Sequence, residues 1–250
     1  MERAAIVTGG GTGIGRATAI ALNRDGFGVV IAGRRPEPLQ QTQALIGDEC
    51  VVFPGDIREP EVSAGLVDEC MSRFGRIDCL VNNAGGQFTA AAEDISPGGW
   101  RAVRRLNLDA PWFLTQAVAK RWMIANGGRV ISVVLCPERG IAGMAHSSAA
   151  RAGMGALTRT LAMEWGRHGI ALNCVAPGWI DTEGVRGYDL DLDEVAAQVP
   201  MKRLGSAAEV GDLIAYLASP AAGYITGQTI AIDGGVDLTS SGWEPPQPRG

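Results

Sequence analysis

A glycine-rich stretch between an apolar run and a helical pattern carries the clearest chemical signal in this 250-residue chain. Residues 8–15 read TGGGTGIG; they follow the apolar run 4–7 and open the helical pattern 16–22. Backbone N–H groups and the helix dipole favour an anion at such a helix start, and glycines let a phosphate come close. Glycines alone could mark a tight turn, but their place in the first strand–helix unit predicts dinucleotide binding. The expected contacts are Gly9, Thr12, Gly13, Ile14 and Gly15.

Two arginines after the second apolar run bear on which dinucleotide binds. A site for NAD(H) usually has a carboxylate here, which accepts a hydrogen bond from the ribose 2′-OH. This chain has Gly33, followed by Arg34 and Arg35, whose guanidiniums can hold a 2′-phosphate through paired hydrogen bonds. Arginines after a strand are also common on protein surfaces. The pattern therefore favours NADP(H) over NAD(H) without excluding NAD(H).

Polar and small residues follow the third and fourth apolar runs. Asp56 and Ile57 follow the third, and the Asp56 carboxylate could accept a hydrogen bond from the adenine amino group. Aspartate is equally a common turn residue. Asn83, Ala84 and Gly85 follow the fourth run, where small residues would let the cofactor pass closely, although they could also form a simple turn. At this place in the chain we interpret both segments as cofactor-binding.

Five motifs in order resemble those of the short-chain dehydrogenase/reductase family over about residues 4–236. They are residues 8–15, residues 82–85 (NNAG), Asn107, Pro177 with Gly178, and Gly227 with residues 233–235 (DGG). The resemblance implies one α/β domain with a doubly wound, Rossmann-type parallel sheet and helices on both faces. It also implies a nicotinamide cofactor and usually a homodimer or homotetramer. By the same resemblance, cofactor contacts are expected from Pro177, Gly178, Ile180 and Thr182, with Thr182 at the nicotinamide carboxamide.

The catalytic residues of that family are only partly present. The family uses an Asn, a Ser, and a Tyr that is followed four residues later by a Lys. The segment 151–158 matches the family helix that starts at the Lys, which places Arg151 at the Lys position and Ser147 at the Tyr position. The family Ser falls at Val134 or Leu135, and only Asn107 matches outright. No Y-x-x-x-K pattern exists anywhere in the chain.

These replacements favour one kind of reduction over another. Reducing a ketone requires a proton for the alkoxide, and a positioned acid contributes roughly 10²–10⁴ in rate. Serine does not ionise usefully near neutral pH, and arginine does not give up its proton. In a C=C conjugated to a carbonyl, hydride adds to the β-carbon and charge collects on the enolate oxygen. Hydrogen-bond donors can stabilise that oxygen without transferring a proton.

One branch of the family is similar to this chain around the altered positions. Residues 146–153 (HSSAARAG) resemble the corresponding segment of peroxisomal-type trans-2-enoyl-CoA reductases, whose relatives include 2,4-dienoyl-CoA reductases. The resemblance implies NADPH-dependent reduction of a 2-enoyl thioester. Arg151 would then lie against the nicotinamide ribose, and Asn107 would help to hold a water. Ser147 would donate a hydrogen bond to the thioester oxygen, or would only cap its helix.

The proton donor and the substrate stay open at this point. His146, Cys136 and Tyr188 are candidate donors, although for His146 and Cys136 a structural role is favoured over a chemical one. Residues 180–201 should form a flap over the substrate; its acidic side chains disfavour anionic CoA, and its counter-charges are Arg186, Lys202 and Arg203. The alternatives are a carbonyl reductase or dehydrogenase with Tyr188, Cys136 or water as its acid, and a cofactor-binding protein without redox chemistry.

Alternating strand and helix patterns must position these residues, as a parallel sheet wrapped by helices requires. Strands are predicted at 4–7, 28–32, 50–53, 78–81, 129–134, 171–175 and 229–232, and helices at 38–45, 61–74, 100–124, 148–167 and 207–217. We expect one domain over residues 1–238 and an irregular tail over 239–250.

Composition limits the partners, the compartment and the kinds of site that the chain is expected to have. The chain is 46% hydrophobic and 20% charged, with a net charge of −5, so neither nucleic acid nor an anionic membrane is an expected partner. It has no run of about 18 apolar residues, and its N-terminus leads directly into the first strand, so neither a membrane span nor a signal peptide is expected. Five cysteines without a C-x-x-C pair indicate reduced thiols in a cytoplasmic protein, and no metal site is expected.

Overall fold

Strands and helices alternate along the chain. The computed structural model describes residues 2–135, 141–187 and 190–241. Its strands are β1 (Arg3–Thr8), β2 (Phe27–Gly33), β3 (Cys50–Pro54), β4 (Cys79–Asn82), β5 (Gly128–Val133), β6 (Ile170–Pro177), β7 (Ile180–Asp181), β8 (Gly205–Ser206) and β9 (Thr229–Ile232). Its α-helices are α1 (Gly13–Arg24), α2 (Pro36–Ile46), α3 (Pro60–Phe74), α4 (Pro97–Arg104), α5 (Ala110–Val118), α6 (Ile124–Asn126), α7 (Ala145–Trp165), α8 (Glu183–Arg186), α9 (Leu192–Gln198) and α10 (Ala207–Ala218).

Seven parallel strands form the central sheet in the order β3-β2-β1-β4-β5-β6-β9, and β7 pairs separately with β8. All seven predicted sheet strands are confirmed, with no end shifted by more than two residues. Chain order reverses between β1 and β4, so their carboxyl ends meet at the centre of the sheet. In open α/β sheets this switch point is where ligands bind.

Helices cover both faces of the sheet, which confirms the doubly wound Rossmann-type fold. Each face has its own apolar core, because strands buried on both sides carry near-continuous apolar sequence. One core contains Leu22 of α1, Leu39 of α2 and Ile214 of α10. The other contains Leu66 of α3, Leu114 of α5 and Leu161 of α7.

The helical run over residues 97–126 is continuous but not regular. It joins α4, α5 and α6 through two π-helical segments, Arg105–Asp109 and Ala119–Met123. The helix predicted over 100–124 is therefore right in extent, but its regular winding is wrong at Asn107. There the side-chain Nδ2 donates to the Val103 carbonyl at 2.8 Å, the oxygen that a backbone N–H would otherwise use. This competition with the backbone bond gives a physical reason for the wider turn.

Two predicted boundaries also differ from the structure. Helix α7 begins at Ala145, three residues before its predicted start, and its N-cap residue is Met144. Ser147 is therefore the third residue of the helix and not its cap, so the capping interpretation is wrong. Near the C-terminus of the chain, a 3-10 helix over Val236–Ser241 extends into the segment predicted to be an irregular tail. Residues 242–250 lie outside the described residues.

Candidate active site

A cleft of about 530 Å³ opens at the switch point of the sheet. Its wall consists of segments at the carboxyl ends of β1 to β5, together with part of the flap around α8. Most of the residues predicted to bind a cofactor line this cleft: Gly9, Thr12, Gly13, Ile14, Gly15, Arg34, Arg35, Asp56, Ile57, Asn83, Ala84, Gly85, Arg151 and Thr182. A cleft lined from the ends of five strands suits a dinucleotide.

The glycine-rich turn is held tightly against the end of β4. Asn83 Nδ2 donates to the Thr8 carbonyl at 2.9 Å and to the Gly9 carbonyl at 3.3 Å. A Cβ on Gly15 would overlap the Gly9 carbonyl oxygen, and Gly9 itself has a φ of +68°, which favours glycine. The absence of side chains here leaves the N-terminus of α1 open to the cleft, where an anion is favoured. These residues fit the pyrophosphate of a nicotinamide dinucleotide.

Positive charge surrounds the end of the cleft near β2 and β3. The Arg58 guanidinium grips the Asp56 carboxylate through Nε at 2.9 Å and Nη2 at 2.5 Å, and this lowers the pKa of the Asp56 carboxyl. Arg34 and Arg35 are exposed on the cleft wall, and neither forms an ion pair with another described residue. Their guanidiniums are thus available to an anionic ligand, whereas that of Arg58 is engaged.

Two of the predicted catalytic side chains meet at Gly85. Arg151 Nη1 donates to the Val133 carbonyl at 2.7 Å, and Asn107 Nδ2 donates to the Gly86 carbonyl at 2.8 Å. A Cβ on Gly85 would overlap Arg151 Nη2 and would lie 2.9 Å from Asn107 Oδ1. Glycine is therefore required for the guanidinium and the amide to approach this backbone so closely. Of these two side chains, only that of Arg151 lines the cleft.

The third predicted catalytic side chain, Ser147, lies behind the cleft wall. It is fully buried, and its Oγ donates to Gln87 Oε1 at 3.5 Å. Gln87 in turn lines the cleft. Both positions predicted for the family Ser, Val134 and Leu135, carry apolar side chains just after β5, and Val134 is buried. Cys136 and Tyr188, two of the candidate proton donors, lie outside the described residues.

Three residues predicted to contact the cofactor do not line the cleft. A Cβ on Gly178 would lie 2.7 Å from Asp233 Cα, because Gly178 packs against the chain leaving β9. Pro177 immediately precedes it at the end of β6. Ile180 lines a separate cavity of about 150 Å³ instead. Thr182 does reach the cleft, where it caps α8 and lies against Gly13.

The counter-charges predicted near the flap are engaged within the chain. Arg186 Nε donates to Asp181 at 2.7 Å, and Arg203 Nη2 donates to Glu209 at 2.6 Å. Lys202 Nζ donates to the Ala197 carbonyl at 2.7 Å. Because these cations already have partners, the flap offers less positive charge to a CoA phosphate than the sequence suggested.

Several cleft residues were not singled out from the sequence, among them Gln87, Leu106 and Val133. A signal for Gln87 was its place just after Gly85. No local pattern identifies Leu106 or Val133, because an apolar residue at the end of a helix or strand most often belongs to the core.

Titratable side chains elsewhere offer little further chemistry. Burial raises the pKa values of Cys50, Cys70 and Cys79 to about 12, so these thiols are not nucleophiles near neutral pH. In the described ranges, no cluster of three or more His, Cys, Asp or Glu side chains could hold a metal ion. None of the helices described is long and apolar enough to cross a bilayer.

Known proteins similar to this chain share its fold and much of its sequence. Residues 9–237 match a family model described as enoyl-(acyl carrier protein) reductase. A probable 2,4-dienoyl-CoA reductase of Bacillus subtilis (strain 168) is 37% identical over 94% of this chain and 96% of the relative. A 3-oxoacyl-[acyl-carrier-protein] reductase of Synechocystis is 34% identical over 93% of this chain and 96% of the relative.

A solved structure supports the same assignment. The citronellol catabolism dehydrogenase (AtuB) of Pseudomonas aeruginosa PAO1 is 39% identical and superposes with a TM-score of 0.84. The match covers 94% of this chain and 95% of the other. With the switch-point cleft and its glycine cradle, these likenesses identify an oxidoreductase that uses a nicotinamide cofactor on a small molecule. The chain belongs to the short-chain dehydrogenase/reductase family.

Proposed function

We propose that this protein reduces the conjugated C=C of a 2-enoyl thioester with NADPH. One observation carries the proposal: at the end of the cleft near β4 and β5, the described polar side chains that line it are Asn83, Gln87 and Arg151, amide and guanidinium groups that do not act as acids near neutral pH. The Arg151 guanidinium donates a hydrogen bond there to the Val133 carbonyl, and the Asn107 amide donates one to the Gly86 carbonyl. A guanidinium stabilises an anionic oxygen without supplying a proton, as enolate formation requires, whereas both N–H groups of the Asn107 amide are already donated to the Gly86 and Val103 carbonyls. The likeness to the Bacillus subtilis relative supports the same substrate class.

Three residues of the chain have separate roles in the proposed reaction. When bound, the nicotinamide supplies the hydride that adds to the β-carbon. Arg151 holds the nicotinamide ribose and keeps a permanent positive charge near the thioester oxygen. Ser147 contributes a hydroxyl donor from behind Gln87, and Asn107 keeps the π-helical turn beside Gly86 in place. Water returns the proton to the α-carbon, so the site needs no acidic side chain for that step.

A carbonyl reductase is the second candidate, and the likeness to the Synechocystis 3-oxoacyl reductase favours it. It would need an acid that the described residues do not present in the cleft. Tyr216 lies on α10 and Tyr224 is fully exposed, and neither lines the cleft. A third candidate is cofactor binding without redox chemistry, which intact glycine motifs beside altered catalytic positions would also produce.

The function is tested by following NADPH absorbance with the purified protein. The panel contains trans-2-enoyl-CoAs and 2,4-dienoyl-CoAs of several chain lengths, simple enones, 3-oxoacyl thioesters and ketones. We expect oxidation of NADPH with the conjugated thioesters and little with the ketones. Oxidation with ketones alone would overturn the proposal in favour of a carbonyl reductase. NADPH binding without turnover of any substrate would favour the non-redox alternative.

Cofactor preference is tested at Arg34 and Arg35. Replacing both with alanine is expected to raise the Kd for NADPH at least about tenfold, because a hydrogen bond to a charged group contributes about 1.5–3 kcal/mol. The Kd for NADH, which has no 2′-phosphate, should stay within about twofold, well inside the factor of ten that 1.4 kcal/mol represents. Both constants can be measured by nicotinamide fluorescence. An equal loss for the two cofactors would show that the arginines do not read the 2′-phosphate.

We also propose a cytoplasmic homodimer or homotetramer. Large apolar side chains are exposed on the two longest helical segments, with Phe113 on α5 at 56% and Met163 on α7 at 87% of full exposure. Burying them between two copies of the chain would remove apolar surface from water. Such pairing leaves the cleft open, because neither side chain lines it.

A further inference from the structure

His146 is a buried imidazole whose tautomer follows from its contacts. It is the second residue of α7 and is only 1% exposed. The Ser147 backbone N–H donates to His146 Nδ1 at 2.8 Å, so Nδ1 acts as an acceptor and carries no proton. The ring is therefore neutral, and its single N–H lies at Nε2. In this arrangement the imidazole also satisfies one of the N–H groups in the first turn of the helix.

The Nε2–H group of His146 has no protein partner among the described residues. The atom is buried, and none of these residues accepts a hydrogen bond from it. The ring packs edge-on against Phe88 with 4.3 Å between centroids and an interplanar angle of 85°. A buried donor without an acceptor costs about 1–3 kcal/mol, and most buried polar groups in folded proteins have a partner. An acceptor brought by a ligand would account for this donor.

The position of His146 links it to the cleft. The next residue, Ser147, contacts Gln87 through its hydroxyl, and Gln87 lines the cleft. Phe88, which packs on the imidazole, directly follows Gln87 in the chain. The Ser147 contact to Gln87 is long, at 3.5 Å, and so is easily exchanged for a better acceptor. His146 and Ser147, consecutive residues of α7, thus each contact the segment 87–88, whose first residue lines the cleft.

We propose that His146 is a further catalytic residue, whose Nε2–H donates a hydrogen bond to the thioester oxygen beside Ser147. This inference rests on the proposed enoyl-thioester function and deepens it. As hydride adds to the β-carbon, the C=C electrons move toward the thioester carbonyl and negative charge collects on its oxygen. The imidazole keeps its proton and stays neutral, and water protonates the α-carbon. A preorganised neutral donor in a buried site is an effective form of such stabilisation.

Two substitutions separate this role from that of a structural histidine. In His146→Asn the side-chain oxygen can still accept from the Ser147 N–H, but nothing reaches the Nε2 position. In His146→Gln the amide N–H reaches the Nε2 position, but the acceptor at the Nδ1 position is lost. A purely structural role predicts that both variants lose thermal stability without a selective change in kcat. A donor role predicts that the glutamine variant recovers activity that the asparagine variant lacks.

We expect His146→Asn to lower kcat about 10²-fold, the loss typical of removing one oxyanion donor, with an unchanged Kd for NADPH. His146→Gln should recover at least tenfold of that loss, which corresponds to about 1.4 kcal/mol of transition-state stabilisation. The measurements are kcat and KM with saturating NADPH and a trans-2-enoyl-CoA that the wild type reduces, with melting temperature and NADPH fluorescence as controls.

The outcomes distinguish this inference from the proposed function. If the wild type reduces enoyl thioesters and His146→Asn has the same kcat, the inference is wrong and the function stands. Equal kcat losses in the asparagine and glutamine variants would also overturn it, because the position of the N–H would then not matter. If the wild type reduces no enoyl thioester, the proposed function fails and the inference fails with it.

Discussion

Replacing Arg151 with methionine is expected to lower kcat/KM for enoyl-thioester reduction about 10³-fold, more than the loss of a single neutral donor, because a permanent charge is lost. The guanidinium is held by the Val133 carbonyl at 2.7 Å and passes directly over Gly85. Methionine has a similar length and an apolar end, so it fills much of the same volume without a charge or a donor. The measurement is steady-state NADPH oxidation with a trans-2-enoyl-CoA.

The matched control for this substitution is Arg151→Lys. Lysine keeps the positive charge and is the residue that the family places here, so we expect activity within about tenfold of the wild type, or 1.4 kcal/mol. A single ammonium cannot reproduce the planar fork of the guanidinium, which accounts for some loss. If the methionine variant is as active as the lysine variant, charge at this position does not assist the reaction. Near-wild-type melting temperatures in both variants would show that the difference is not one of folding.

Replacing Gly15 with alanine is expected to raise the Kd for NADPH about 10²-fold, since overpacking a rigid site costs up to about 3 kcal/mol and 1.4 kcal/mol is a factor of ten. The added Cβ would overlap the Gly9 carbonyl oxygen and would lie 2.5 Å from Asn83 Nδ2. The first of these atoms belongs to the backbone, and the Asn83 amide is hydrogen-bonded to the Thr8 and Gly9 carbonyls. Neither can move without opening the turn. Nicotinamide fluorescence titration measures the change.

Gly166→Ala provides the control for the glycine substitution. Gly166 lies at the end of α7, its φ is −53°, and no heavy atom lies within 4 Å of a Cβ built there. The same chemical change should therefore leave NADPH binding unaltered. Comparable weakening by both substitutions would contradict a specific role for the glycine cradle, whereas a selective effect at Gly15 would support it. Thermal unfolding of both variants separates loss of the site from loss of the fold.

The sequence by itself determined the fold and identified many of the residues that line the cleft. Strand and helix periodicities reflect burial, so the sheet strands were predicted within a few residues. Motifs such as the glycine turn depend on backbone geometry over consecutive residues, and that geometry is encoded locally. The alignment of residues 151–158 with a family helix also located Arg151, which the structure does place on the cleft wall.

Other features of the site depend on side-chain contacts that neither periodicity nor the motifs indicate. The contact between Ser147 and Gln87 spans 60 positions, and nothing local to either residue indicates it. The ion pair between Arg186 and Asp181 likewise occupies a guanidinium that the sequence analysis expected to serve as a counter-charge for the substrate. The π-helical turn at Asn107 arises because a side chain competes with a backbone bond, which periodicity does not report.

His146 shows most clearly which properties follow from the sequence and which follow only from the tertiary structure. Its place before Ser147 could be read from the chain, and it was then one of several candidate donors. Its tautomer, its burial and its unpartnered Nε2–H follow only from the packing of α7 against the segment containing Phe88. Sequence identifies which groups are present, whereas tertiary packing determines which of them lose water and which find a partner. The chemistry of a buried site depends on this packing, because an unpartnered donor away from water is available to a ligand.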